Sequence, residues 1–221
     1  MDVVKVLVEW NRDLPAVAST TKTTPMMFAA LGGRAEIITL VEWNRDLAAV
    51  PSTGQTTPMM FAAIGGRAEI ITYFAECGAS VDAIDNYGNS ALHYAAACGV
   101  PRAVTELLRL GASVNRANHQ GESAILVAAG KGHLEVVAAL IDAGADVNTP
   151  DPVFGVTPLM KASMHGSKDL VELLVKNGAA MVQVLMRSIT TETLLFTTLH
   201  SVELLALLLS CCRNHVHIWR A

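Results

Sequence analysis

Apolar residues along most of this chain recur three and four apart rather than at every second position. The segments MMFAAIG (Met59–Gly65), ALHYAAACG (Ala91–Gly99), AILVAAGKG (Ala124–Gly132) and PLMKASMHG (Pro158–Gly166) show this spacing. So do the stretches that follow each of them, AEIITYFAE, RAVTELLRL, LEVVAALIDA and KDLVELLVKN. The spacing predicts pairs of short helices and no long strands. Thr24, Thr57, Ser90, Ser123 and Thr157 each precede a Pro or an Ala at the head of the first helix of a pair. A Ser or Thr there accepts a hydrogen bond from an unpaired helix N–H, and Pro or Ala suits the first helical position. Gly78, Gly111, Gly144 and Gly178 stand just past the second helices, where a left-handed C-cap favours a residue without a Cβ.

These marks share one ruler, because the five caps are separated by steps of 33, 33, 33 and 34 residues. Near the N-terminus the period is almost literal. Leu7–Thr39 and Leu40–Thr72 differ only at Pro15/Ala48, Ala18/Pro51, Thr21/Gly54, Lys22/Gln55 and Leu31/Ile64. A fixed period of this size predicts a solenoid, in which each unit hides its apolar face only by stacking on its neighbours.

ALHYAA, GHLEVVAALIDAGADVN and GVTPLMKAS resemble ankyrin repeats, with that family's TPLHxAA and LLxxGADVN segments, over roughly residues 2 to 180. The resemblance implies a helix-dominated solenoid whose unit is a helix, a turn, an antiparallel helix and an outward loop or β-hairpin finger. On this division residues 1–19 are a partial repeat and residues 20–180 hold five repeats, at about 20–52, 53–85, 86–118, 119–152 and 153–186. Residues 187–221 are a degenerate cap and tail. The chain opens on a second helix and reads as a fragment of a longer array. Two departures stand out. Only His93 holds the motif's histidine position, while Met27, Met60, Leu126 and Met160 replace it elsewhere, so packing is expected to replace its hydrogen bonds. In the duplicated pair Arg12 and Arg45 stand where the C-cap glycine belongs, with Asn11 or Asn44 as alternative turn residues.

The composition, 52% hydrophobic and 16% charged, is enough to bury a continuous core in one elongated array. A net charge of −4 with scattered Lys and Arg gives no basic stripe, which argues against a nucleic-acid partner. Cys77, Cys98, Cys211 and Cys212 have no framework spacing, and MDVVKVLVEWNRD lacks a secretory pattern, so a cytoplasmic or nuclear setting is expected. Leu194–Cys212 has 19 mostly apolar residues but contains His200 and Glu203. It reads as a terminal repeat helix; the alternative is a membrane-tethered scaffold anchored by this segment. No phosphate loop, catalytic constellation or cofactor motif appears. Adjacent Cys211 and Cys212, near His215 and His217, lack the second cluster that a zinc site needs. His93 and His133 are expected to bond helix ends rather than act as bases.

The function implied by the resemblance is non-enzymatic binding of an unidentified protein partner by a monomer, through the concave face and the fingers. Carried over from the family's recognition positions, the expected contacts are Asn86, Tyr87, Asn89, Ala97 and Cys98 in one repeat. His119, Gln120, Glu122, Gly130 and Lys131 follow in the next, and Val153, Phe154, Met164 and His165 after that. Tyr87 and Phe154 are the expected anchors, since aromatic side chains dominate interface energetics. Trp10 and Trp43 fall at a phase that is polar in later repeats and are expected either to form an outer apolar patch or each to cover a neighbouring helix end. LIDAGADVN also resembles the L-x5-D-V-N pattern accepted by asparaginyl hydroxylases, with Asn148 as acceptor. A purely structural Asn148, bonded to the backbone of the turn entering the finger, is the competing expectation.

Overall fold

Thr57, Ser90, Ser123 and Thr157 each open a helix in the computed structural model, which describes residues 25–32 and 51–180; Thr24 lies outside the described residues. The first helices of the pairs are α1 (Pro25–Gly32), α2 (Pro58–Ile64), α4 (Ala91–Cys98), α6 (Ala124–Lys131) and α8 (Pro158–His165). The second helices are α3 (Ala68–Glu76), α5 (Pro101–Arg109), α7 (Leu134–Asp142) and α9 (Lys168–Lys176). Trp10, Trp43, both WNRDL segments, Leu194–Cys212 and the CCRNHVHIW cluster lie outside the described residues. Among the described residues no helix is long and apolar enough to cross a membrane.

The helices stack in two layers. α1, α2, α4, α6 and α8 pack side by side as the inner layer; α3, α5, α7 and α9 form the outer one, each against its own inner partner. Alanine pairs make the inner layer thin: Ala62–Ala63, Ala95–Ala96 and Ala128–Ala129 are fully buried. At Gly65 even a Cβ would lie 2.3 Å from the Leu31 carbonyl oxygen of the preceding repeat. Larger side chains run in columns through the outer layer, Ile71, Val104, Val137 and Val171 in one and Phe74, Leu107, Leu140 and Leu174 in the next. All eight belong to one continuous buried cluster, so truncating Leu107 to Ala costs about 2–5 kcal/mol.

Gly78, Gly111, Gly144 and Gly178 take φ of 91°, 88°, 86° and 86°. A Cβ at any of them would meet nothing within 4 Å. The left-handed backbone, and not lack of room, is what asks for glycine there.

The motif histidine explains three of the caps by its presence or absence. His93, 3% exposed, accepts from the Ser90 N–H at 3.2 Å and lies 2.9 Å from the Ser90 hydroxyl through Nδ1. Its Nε2 lies 3.1 Å from the Glu122 carbonyl of the next repeat. A carbonyl only accepts, so Nε2 carries the proton and the ring is a neutral strut between two repeats. At Met60 the expectation of packing alone is corrected, because its sulfur accepts from the Thr57 N–H at 3.4 Å. Thioether sulfur is a weak acceptor, and it stands in for the imidazole. Leu126 offers no acceptor, and the buried Ser123 hydroxyl has no hydrogen-bond partner.

Candidate functional site

Four polar residues at the repeat period shape the fingers: Ser52, Asp85, Asn118 and Asp151, all 9% exposed or less. Each side chain accepts N–H groups of the loop that follows it. Asp85 Oδ1 takes those of Tyr87 and Asn89 at 2.8 Å, and Asn118 Oδ1 those of Gln120 and Glu122 at 3.0 and 2.9 Å. Ser52 Oγ takes Gly54 and Thr56 at 3.2 Å, and Asp151 takes Val153, Phe154 and Val156. Such turns bend the chain outward and hold the tips. In two of these fingers the third residue on is a glycine with φ of 77°, Gly88 and Gly121. After Ser52 the glycine arrives one place early, and Gln55 takes the position with φ of 60°. After Asp151 it arrives one place late, at Gly155. The step of 34 is therefore one extra residue in the last described finger, whose tip carries Val153 and Phe154.

Neighbouring fingers are also joined by backbone. Asn86 N–H donates to the Gly54 carbonyl at 3.0 Å, and one repeat later His119 N–H donates to the Tyr87 carbonyl at 2.9 Å. The same register would next join residue 152 to the Gln120 carbonyl. Residue 152 is proline and has no N–H. Where this ladder stops, a groove of about 940 Å³ opens between the two fingers and above α6 and α8. Its apolar surface comes from Val153, Phe154, Val156 and Met164.

The structure brings His119, Gln120, Glu122, Gly130, Val153, Phe154, Met164 and His165 together around this groove, with Lys131 exposed beside Gly130. Asn86, Tyr87, Asn89, Ala97 and Cys98 lie one repeat away and do not line it. Asn89 is engaged by the next finger, since its Oδ1 accepts from Asn118 at 2.9 Å. Ala97 is half-buried, and its carbonyl lies 3.2 Å from His133 Nε2. Tyr87 is 70% exposed at its tip. Sequence reasoning missed Lys161 and Asp151. Lys161 is a lone cation in the column Phe61, Tyr94, Val127, and Asp151 repeats the phase of Asp85, so both were visible in the register.

Lys161 forms an ion pair with Glu122, and both are about three-quarters buried. Glu122 thus links three repeats: its carbonyl meets His93, its N–H meets Asn118, and its carboxylate meets Lys161. Burial works against ionisation of the Asp151 carboxyl, but the N–H groups of Phe154, Val156 and Val153 outweigh it and hold its pKa below the usual value. Burial holds the His93 imidazole below its ordinary pKa, opposed by its bond to the Glu122 carbonyl.

Asn148 is a strut between repeats. Its Nδ2 donates to the Gly178 carbonyl at 3.1 Å, and its Oδ1 accepts from the Ala180 N–H at 2.7 Å. Asn115 does the same one repeat earlier with Gly144 and Asp146. The side chain therefore reaches the neighbouring repeat and not the turn entering its own finger. A second, shallower groove lies on the outer layer between α3 and α5. Its charged walls are already paired, Arg102 with Glu69 and Glu106 with Thr72 and Arg109.

The family model for ankyrin repeats, three copies long, matches residues 42–118 and 100–185. The two matches cover more than half of the 221 residues, and the chain belongs to the ankyrin repeat family. Ankyrin repeats are in general protein–protein interaction modules and not enzymes. The search of curated proteins finds no match.

Proposed function

We propose that this chain is a non-enzymatic adaptor or scaffold, a monomer that binds another protein through its inner face and finger tips. The observation that carries the reading is where exposed apolar area lies. Tyr87, Val153, Phe154 and Met164 are 70%, 68%, 70% and 76% exposed, and all sit on fingers or at the end of an inner helix. Large apolar groups left in water on one face mark interaction surfaces. Tyr87 and Phe154 serve as the aromatic anchors, and the free thiols Cys77 and Cys98 fit a cytoplasmic setting. Asn148 serves in the same reading as a strut between repeats, and its hydroxylation, the competing role, would require it first to release Gly178 and Ala180. A photo-crosslinking amino acid in place of Phe154, compared with one in place of Thr105 on the outer layer, tests the surface in cells. Crosslinks to protein from the Phe154 position are expected, and crosslinks from the Thr105 position alone would overturn it.

A further inference from the structure

We propose that Thr149, at the base of the last described finger, is a phosphorylation site for a proline-directed protein kinase, and that Arg116 of the preceding finger receives the phosphate. Thr149 stands directly before Pro150, the pair that such kinases read. Two other Thr-Pro pairs have described threonines, Thr57-Pro58 and Thr157-Pro158. Both open helices: each threonine side chain accepts the N–H three residues on, and each proline is buried. They are closed to an enzyme.

Thr149 and Pro150 instead lie in irregular chain, Thr149 half-buried and Pro150 exposed. Neither joins a backbone–backbone hydrogen bond among the described residues. The register explains why. At the same phase, antiparallel bridges join Ile84 to Ser90 and Ala117 to Ser123. One half of the equivalent pair survives here, from the Asp151 N–H to the Val156 carbonyl at 3.0 Å. The other half would run from residue 158 to the Thr149 carbonyl, and residue 158 is a proline without an N–H. Pro150 in turn favours an extended Thr149. An exposed, extended and unpaired segment enters an enzyme's cleft without unfolding the repeats around it.

Thr149 Oγ1 now donates to Asp146 Oδ2 at 2.7 Å. In the transfer the γ-phosphorus of ATP gains a bond to Oγ1 and loses its bond to ADP, and the hydroxyl proton passes to the kinase's general base. The phosphate that results carries a charge of about −1.5 to −2 at neutral pH. It has no proton to give Asp146, whose carboxyl is held below its ordinary pKa by the Asn148 N–H and the Thr149 hydroxyl, and like charges drive the two apart. A cation is at hand in the preceding finger. Arg116 holds the register position of Thr149 one 33-residue period earlier, and the two fingers touch at this height, since Asn115 Oδ1 accepts the Asp146 N–H at 2.9 Å. Arg116 is exposed and forms no ion pair among the described residues. Its planar fork of donors suits a phosphate.

The test is to incubate the full chain with ATP and, in turn, an active mitogen-activated kinase and an active cyclin-dependent kinase, and to map the sites by mass spectrometry. At least one should modify Thr149 while leaving Thr57 and Thr157 bare. Thr149→Ser should keep the modification, and Pro150→Ala should lose most of it. Phosphorus NMR then follows the second ionisation of the phosphate, near a pKa of about 6 in an isolated side chain; Arg116→Gln should raise it by about 0.3. Modification by neither kinase, modification that survives Pro150→Ala, or equal modification of Thr157 would overturn the site. An ionisation unmoved by Arg116→Gln would overturn the role of Arg116.

Discussion

Asp85 offers the sharpest trial of how the fingers are built. Its carboxylate, 3% exposed, accepts the N–H groups of Tyr87 and Asn89 at 2.8 Å and the Tyr94 hydroxyl at 2.6 Å. Hydrogen bonds to a charged acceptor contribute about 1.5–3 kcal/mol each, and they do not add fully when they share one group. Water can replace part of the loss at the finger, though not at the half-buried phenol. Asp85→Ala should therefore cost about 3 kcal/mol, and Asp85→Asn, which keeps one acceptor oxygen, about 1 kcal/mol. At the same phase Asn118→Ala removes three neutral bonds, two from finger N–H groups and one to Asn89, and should cost about 2 kcal/mol, and Ser52→Ala, whose two bonds are 3.2 Å long, about 1 kcal/mol. Urea unfolding followed by circular dichroism at constant m-value gives the ranking Asp85, Asn118, Ser52. Equal costs at the three sites, or an Asp85→Ala cost under about 0.5 kcal/mol, would refute this account of the turns.

Gln55→Gly should stabilise the chain by about 1 kcal/mol in the same assay, because it relieves a side chain held at φ of 60°. Ser90→Ala should cost about 1 kcal/mol while Ser123→Ala is neutral or slightly stabilising, since only Ser90 has a histidine to bond; equal losses would contradict the cap analysis. The lowered pKa of His93 gives a pH dependence with a definite sign. Below the usual 6.5 the unfolded chain takes up a proton that the folded chain resists, so stability is complete above that pH and falls as pH drops through the window beneath it. His93→Gln, which keeps an acceptor and a donor, should flatten the urea midpoint between about pH 7.5 and pH 5.

Much of this architecture could be read from spacing. Caps at Thr57, Ser90, Ser123 and Thr157 locate helix starts because an N-cap acts on its own next turn, and Gly111 or Gly144 ends a helix for an equally local reason. The grouping of His119, Phe154 and Met164 was legible only through the repeat period, which turns residues more than 30 apart into neighbours. What escaped depends on small shifts of register. Nothing in Pro152 alone announces a broken finger ladder; that requires knowing that Asn86 and His119 each donate one finger back. Nor does Asn148 reveal that it bonds forward to Gly178 and Ala180, because its local pattern suits an ordinary turn equally well. The met and unmet needs of Ser90 and Ser123 differ only by a histidine three residues away.

Quantitative affinity purification compares the intact chain with two variants of equal stability. One is Phe154→Ser with Met164→Ser at the inner groove, and the other is Glu69→Ala with Arg102→Ala on the outer layer. The account predicts that the inner variant loses the proteins retained by the intact chain while the outer variant keeps them. Retention by the inner variant, with loss from the outer one, would contradict it.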